Sequence, residues 1–321
     1  MKRIGVLTSG GDSPGMNPCI RAVTRVALNA SVEVSGIRRG YRGLIQGDIH
    51  PLGRRQVGGI IQRGGTFLQT ARCREFETEQ GRLEALHNLN EHEIEGLIVI
   101  GGDGSQRGAY ELHKLGFPVV GVPASIDNDL WGTDMAIGVD TALNTVLQAV
   151  DKLRDTASSH HRAFLIEVMG RKSGYLALMG GLAGGAELVL IPEKEISLEE
   201  IAKAVKGAYI RGKAHAIVVI AEGFQHRTTD IAQFLTEHEI GFEVRVTILG
   251  HVQRGGLPSV FDRILATRLG AVAVNCLLNG QRGVMVGLRG GEIKTVPLEE
   301  VATRERGLDL DYYDLAEVLA K

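Results

Sequence analysis

GLIVIGGDGS, residues 96–105, decides how this chain folds. Its first half, Gly96 to Ile100, is an unbroken apolar run of the kind that a strand buried on both faces requires. Its second half breaks that run with glycines, and Ser105 is placed to cap a helix running to about Leu115. Strand, glycine loop and helix in succession form the unit of a parallel sheet covered by helices. The same unit stands at the N-terminus. Arg3–Thr8 reads as a strand, Ser9–Gly15 as a glycine loop, and Asn17 with Pro18 as the N-cap and first turn of a helix to about Asn29. Val32–Ile37 and Val119–Val122 are further strands. Thr141–Arg154 is a helix carrying Leu143, Val146, Leu147, Val150 and Leu153 at helical spacing.

The second half repeats the rhythm. Ala163–Val168, Leu188–Ile191, Ala216–Ala221 and Glu243–Leu249 read as strands. Ser197 with Glu200 forms a capping box for a helix to about Ile210, and Thr229–His238 and Phe261–Leu278 are helices. The fold class is α/β: two doubly wound, Rossmann-like domains with mostly parallel sheets. No Pro/Gly/Ser-rich linker separates them, and nothing is low-complexity.

The 321 residues suffice for about two domains of ~150 residues. Lys plus Arg is 36 and Asp plus Glu 38, so the net charge of −2 gives no electrostatic case for nucleic acid. The 44% hydrophobic and 23% charged content excludes a disordered chain. Only 5% of residues are aromatic, which argues against a stacking channel for single strands. Cys19, Cys73 and Cys276 are far apart and odd in number, against both a disulfide framework and a zinc ribbon. With no secretory h-region and no long apolar run, a cytoplasmic protein without membrane contact is expected.

In doubly wound folds ligands sit at the carboxyl ends of strands, so five loops matter. TSGGDSPGMN (8–17) and IGGDGSQRG (100–108) place glycines between a strand and a helix start, where free N–H groups and the helix dipole favour anions. Neither is a Walker A loop, and neither has dinucleotide spacing. An Asp among such glycines makes sense if a cation lies between it and phosphate, so Asp103 is a candidate Mg²⁺ ligand. A tight turn with a solvated Asp fits one such loop equally well; two loops favour phosphate. PASIDNDLWGTD (123–134) holds Asp127 and Asp129, which can divide proton abstraction from orientation; alone, D-N-D reads as an Asx turn. VMGRKSG (168–174) carries Arg171, and ILGHVQRGGLPS (248–259) carries His251 and Arg254. With Arg72, Arg162 and Arg245 these form an anion-binding set, and Glu222 adds an acceptor for sugar hydroxyls. Ten histidines occur, but His160, His161 and His226 lack a G-x-S-x-G partner. The sum is phosphoryl transfer to an alcohol by positioning and charge neutralisation.

IGVLTSGGDSPGMN (4–17), RGGTFLQTAR (63–72), VIGGDGS (99–105), IDND (126–129), EVMGR (167–171) and LGHVQRGG (249–256) together resemble the bacterial-type ATP-dependent 6-phosphofructokinases. The resemblance runs in order from Lys2 to about Asn279. The GGDG element alone is less specific, since NAD kinases and lipid kinases carry a similar one. The resemblance implies a glycolytic, Mg²⁺-dependent kinase that moves the γ-phosphoryl of ATP, its co-substrate, to the 1-hydroxyl of fructose 6-phosphate. It implies a discontinuous ATP-binding domain, 1–138 plus 252–303, and a sugar-phosphate domain, 139–251 plus 304–321, with the active site in the cleft between them.

By the same resemblance, Gly11, Arg72, Cys73, Gly102, Asp103, Gly104 and Ser105 hold Mg-ATP, with Tyr41 near the adenine and Asp103 on the metal. Asp127 is the general base; Arg72 and Arg171 neutralise the transferring phosphoryl. Ser125, Ile126, Met169, Gly170, Arg171, Glu222, His251 and Arg254 line the sugar-phosphate site. Arg162 and Arg245 reach it from a neighbouring subunit, so a homotetramer is expected. An effector site for ADP or phosphoenolpyruvate matches Arg21, Arg25, Arg54, Arg154, Gly185, Glu187, Arg211, Lys213 and His215, and Arg21 and Arg25 share one helix face. Ala124-Ser125 replaces the family's Gly-Thr. Gly58 and Gly59 replace polar residues, a loss of ~1–3 kcal/mol if each had bonded effector phosphate. Pyrophosphate-using relatives typically carry Asp and Lys where this chain has Gly104 and Ala124. The competing readings are a pyrophosphate-dependent enzyme and a non-catalytic nucleotide-binding regulatory subunit.

Overall fold

The computed structural model describes residues 1–320. The chain runs β1 (Arg3–Ser9), α1 (Met16–Asn29), β2 (Glu33–Ile37), α2 (Gly40–Ile45), β3 (Ile49–Pro51), α3 (Glu79–Glu91), β4 (Gly96–Gly101), α4 (Asp103–Lys114) and β5 (Val119–Pro123). It continues through α5 (Val139–His160), β6 (Arg162–Val168), α6 (Tyr175–Ala183), β7 (Leu188–Leu190), α7 (Leu198–Ile210), β8 (Ala216–Ala221), α8 (Thr228–Glu237) and β9 (Glu243–Ile248). It ends with α9 (Val260–Leu278), β10 (Val284–Arg289), β11 (Glu292–Pro297), α10 (Leu298–Thr303) and α11 (Asp311–Leu319). Two units result. The first is Met1–Thr141 with Arg254–Arg306; the second is Ala142–Gln253 with the stretch from Gly307 onward.

The first unit holds a seven-stranded sheet in the order β11-β10-β5-β4-β1-β2-β3. Its inner pairs are parallel; β3 and β11 close the edges antiparallel. The apolar run of β4 is buried throughout, as a strand covered on both faces must be. Its Ile98 and Ile100 join Ile4, Val6, Ile20, Val23, Leu269 and Val274 in one core. Each such side chain contributes about 1.5–3 kcal/mol of burial free energy. The chain order reverses at β1, with β2 on one side and β4 on the other, so the loops leaving β1 and β4 flank a switch point.

The second unit holds a four-stranded parallel sheet, β7-β8-β6-β9. Ile201 and Val205 of α7 and Ile231 and Leu235 of α8 pack on Leu165, Val218 and Ile220. α7 starts at the expected capping box: Ser197 and Glu200 bond each other's backbone N–H.

Two expected caps are corrected. α1 begins after Gly15, whose φ of 116° is left-handed and whose Cβ would strike Ile137. Asn17 lies inside the helix, and its amide instead grips the 63–67 segment, donating to the Arg63 and Gly64 carbonyls (3.0 and 3.1 Å) and accepting from Phe67 N–H (2.6 Å). α4 likewise starts after Gly102, with Ser105 buried in its first turn and making no cap. For Asn17 a tertiary partner claims a side chain whose type alone favours capping. α5 is longer than its expected 141–154 span, covering Val139–His160; buried Val139 and Ala157 continue at either end the stripe of Ala142, Val146 and Val150.

Candidate functional site

In the first unit the loops after β1, β4 and β5 meet. Ser9 and Gly101 are register partners at the strand ends. A Cβ on Gly10 would lie 3.1 Å from the Ser105 hydroxyl oxygen, so the two glycine loops touch. Ala124 N–H donates to the Gly101 carbonyl (3.0 Å), and Ser125 lies beside Gly102. Gln106, fully buried, donates to the Gly101 and Val122 carbonyls at 2.9 and 3.0 Å and ties β4 to β5 beneath these loops.

Asp103 stands in the first turn of α4, where the positive end of the helix dipole favours a carboxylate; its Oδ1 is 3.1 Å from Arg107 Nε. A Cβ on Gly104 would meet nothing within 4 Å. Asp127 is only 3% exposed, and its backbone N–H donates to the Ser125 hydroxyl (3.2 Å). Asn128 follows with φ 51°, a conformation that costs a non-glycine residue about 1–3 kcal/mol and is held by its side chain, which donates to the Asp134 carbonyl and accepts from Ala136 N–H (3.2 and 3.0 Å). Ile126 is buried.

The segment carrying Arg72 is drawn to the first glycine loop: Thr70 Oγ1 donates to the Gly10 carbonyl (2.7 Å) and Thr8 Oγ1 to the Gln69 carbonyl (2.9 Å). Arg72 is exposed and Cys73 half-buried. Tyr41 is buried, donates its hydroxyl to the Ser105 carbonyl (2.7 Å) and stacks on Phe76 at 3.9 Å. Phe76 and Gln106 were not singled out in the sequence. Phe76 falls in a segment without periodicity, and nothing local marks Gln106 as anything but a helix surface residue. Arg254 donates to the Asp12 carbonyl (3.1 Å) and lies so close over Gly11 that a methyl there would collide with its guanidinium.

In the second unit the loops after β6, β8 and β9 converge. Glu222 Oε1 accepts from the N–H groups of Gly170 (3.3 Å) and Arg171 (2.8 Å). Met169 N–H donates to Gln253 Oε1 (3.3 Å), and Gln253 is fully buried. Arg171 adopts φ 53°. Arg171, Glu222 and His251 are exposed. Arg162 and Arg245 are not brought to this cluster. Both pair with Glu243 near the opposite end of β6 and β9, and Arg162 beside Glu243 holds its carboxyl below the usual carboxylate range. Seven residues of strand separate Arg162 from Met169, about 23 Å at ~3.3 Å per residue.

Arg154, Gly185, Glu187, Lys213 and His215 form one polar cluster in the second unit. Arg154 donates to the carbonyls of Gly184 and Gly185 and lies 3.4 Å from His215 Nε2. Lys213 pairs with Glu187 (3.5 Å), which also accepts from Ile217 N–H (2.6 Å). Arg211, at the end of α7, is exposed. Arg21, Arg25 and Arg54 belong to the first unit, the first two on α1. Gly59 has φ 69° with open space around its α-carbon. Among the described residues no group of three or more His, Cys, Asp or Glu side chains could hold a metal alone, and no helix is long and apolar enough to cross a membrane.

Glycine-rich loops at helix starts on a switch point, with carboxylates on adjacent strand ends, define a phosphate-handling α/β protein. Comparison with known proteins narrows the class. Residues 3–277 match the family model described as Phosphofructokinase, and the chain belongs to that family. It is 54% identical over 320 residues to an ATP-dependent 6-phosphofructokinase of Halalkalibacterium halodurans, with all of both chains covered. Among solved structures it is similar to phosphofructokinase from Saccharomyces cerevisiae, with 36% identity and a TM-score of 0.88 over 94% of this chain and 45% of the yeast chain. A pyrophosphate-dependent phosphofructokinase of Marinobacter aquaeolei shares the fold alone, with 23% identity and a TM-score of 0.87 over 97% and 86% of the two chains.

Proposed function

We propose that the chain transfers the γ-phosphoryl of ATP to the 1-hydroxyl of fructose 6-phosphate. The observation that carries this is the apposition of Gly102-Asp103 and Ser125–Asp127 on neighbouring strand ends, joined by the Ala124–Gly101 hydrogen bond. It sets a candidate base beside a candidate phosphate loop. The first unit binds ATP: N–H groups of the Gly10-Gly11 and Gly102–Ser105 loops and the Arg72 guanidinium face the phosphates, with the Tyr41–Phe76 stack toward the adenosine end and Cys73 beside the nucleotide. Asp127 takes the proton from the sugar hydroxyl. The second unit binds the sugar phosphate through Met169, Gly170, Arg171, Glu222 and His251. Arg72 and Arg171 neutralise charge on the transferring group.

The donor set fits Mg²⁺ held jointly with a triphosphate, because Asp103 is a single partly exposed carboxylate and such sites need only one or two beside phosphate oxygens. When bound, the ion supplies charge neutralisation at the phosphates. Open space at Gly104 leaves room for an α-phosphate and favours ATP over pyrophosphate.

Arg162 and Arg245 cannot reach Arg171 within one chain, so the reading requires a second copy to supply them, in a homotetramer. Its support is the exposed edge strand β9, with Val246 37% and Ile248 57% exposed. The Arg154–Lys213 cluster, with Arg21, Arg25 and Arg54, binds the phosphate of ADP or phosphoenolpyruvate. Free cysteines throughout suit the cytoplasm.

The test is product identification with fructose 6-phosphate plus ATP or pyrophosphate, each with and without Mg²⁺. Fructose 1,6-bisphosphate formed only with ATP and Mg²⁺ is expected. Turnover with pyrophosphate alone, or none with either donor, would overturn the reading.

A further inference from the structure

Asp262 is the most completely buried carboxylate of the first unit, with no exposure to solvent. It stands in the first turn of α9, directly after the 248–259 loop, and is 124 and 121 positions from the Gly138 and Thr141 it contacts. It accepts three hydrogen bonds: from Gly138 N–H (2.8 Å), Thr141 N–H (2.8 Å) and Thr141 Oγ1 (2.6 Å). Around it the starts of α5 and α9 are knitted together. Ser259 Oγ caps α9 by accepting from Asp262 N–H (3.1 Å) and donates to Asp140 Oδ2 (2.6 Å), while Ser259 N–H donates to Thr141 Oγ1 (3.0 Å). Burial pushes the Asp262 carboxyl up, and its donors pull it back, as befits an acceptor-only carboxylate.

The segment that Asp262 grips does not end at Gly138. Ile137 pairs with Ala124 in an isolated parallel bridge: Ile137 N–H donates to the Pro123 carbonyl (3.0 Å), and the Ile137 carbonyl accepts from Ser125 N–H (3.1 Å). Ser125 in turn accepts from Asp127 N–H through its hydroxyl. Asn128 closes the same loop from the other side, through Asp134 and Ala136. An unbroken path of hydrogen bonds and peptide links therefore runs from Asp262 through Gly138, Ile137 and Ser125 to Asp127. Each link lies within the first unit.

From this we infer that Asp262 is a positioning residue for the phosphoryl-transfer reaction, holding the 136–141 segment so that the Ser125–Asp127 turn keeps its place. The inference rests on Asp127 being the base. A base must sit within hydrogen-bond reach of the proton it takes, and a displacement near 1 Å costs about 10²-fold in rate. Asp262 never touches substrate; its effect passes through the backbone it holds. An Asn there keeps the shape but turns an N–H₂ group toward donors, so at least one of the three bonds is lost.

The test uses the full chain carrying Asp262→Asn. Turnover per folded protein should fall by about tenfold or more well below the melting temperature, while KM for ATP stays within about threefold. Amide hydrogen exchange should quicken in the peptide covering 124–138. A merely structural role would lower the melting temperature and leave turnover per folded protein unchanged; that result, or unchanged exchange at 124–138, overturns the inference. Should Asp262→Asn fail to fold, Thr141→Val and Thr141→Ser carry the test. The valine removes the hydroxyl and should slow turnover a few-fold, the serine should restore it, and equal rates for the two overturn the inference. If the wild-type chain transfers no phosphoryl group, the reading of Asp127 falls, and exchange at 124–138 alone decides whether Asp262 holds that segment.

Discussion

The two candidate centres are built in opposite ways. In the first unit the residues around Asp127 are buried and bonded to one another through Gly101, Ser105, Gln106 and Asn128. In the second unit Arg171, Glu222 and His251 are exposed, and the two arginines expected from a neighbouring subunit, Arg162 and Arg245, pair with Glu243 at the start of β9. The difference follows from strand position. β4 and β1 are central and covered on both faces, so the loops at their ends are fixed by neighbours on each side. β9 is an edge strand, open along one side. On the proposed reading, the first centre draws on residues bonded within its own unit, while the second takes Arg162 and Arg245 from another copy.

The strongest way to break this contrast is Asp127→Asn. If the first centre is self-sufficient, turnover falls by roughly 10²–10⁴-fold, the usual share of general acid–base catalysis, while ATP still binds by calorimetry. An unchanged rate would remove Asp127 from the mechanism and leave the buried network without a chemical task.

A mixing experiment tests the incompleteness of the second centre. Arg162→Ala and Asp127→Asn should each be severely impaired alone. Dissociated together and reassembled, they should regain up to about a quarter of wild-type turnover, because a site drawing Asp127 and Arg162 from different copies is sometimes wild-type in both. No recovery after verified subunit exchange would place both residues in one chain's site.

Stability separates the strands. Ile98→Ala, in the covered β4, should cost about 2–5 kcal/mol by denaturant unfolding. Ile248→Ala, at 57% exposure, should cost a lone chain under about 1 kcal/mol. A larger and concentration-dependent loss at Ile248 would show that a second copy covers β9.

The smallest effect lies at His215. Its burial, and next to it Arg154 and Lys213, hold the imidazole below its ordinary value against the opposing pull of Glu187. The unfolded chain therefore takes up this proton first. The stability contribution is intact above about pH 6.5 and declines as pH falls from there to the folded value. An NMR titration of His215 reads the shift directly, and His215→Asn should flatten that part of the melting profile. A midpoint at or above the ordinary value would contradict it.

Much of this was legible locally. The apolar run Gly96–Ile100, the Ser197–Glu200 box and the Ala216–Ala221 strand fall where their patterns place them. Other elements gave no such signal. α6, YLALMGGLA, is apolar all round and carries two glycines, so it shows no face; it is helical because Gly180 lets it close on Val146 and Gly181 on Val189. β3 is three residues long, and β11 has only one buried side chain, so neither rises above its surroundings.

By itself, the amino-acid order determined the alternation of strands and helices, the loops where phosphate chemistry belongs, and the family to which they point. These are local properties, written in side-chain periodicity and in the backbone freedom of glycine. Tertiary structure alone decided that Asn17 grips the 63–67 segment, that Glu222 collects the N–H groups of Gly170 and Arg171, and that Asp262 reaches back to Gly138 and Thr141. Those bonds join residues tens to more than a hundred positions apart. No window along the chain contains both ends of such a bond, and only closure of the sheets brings them together.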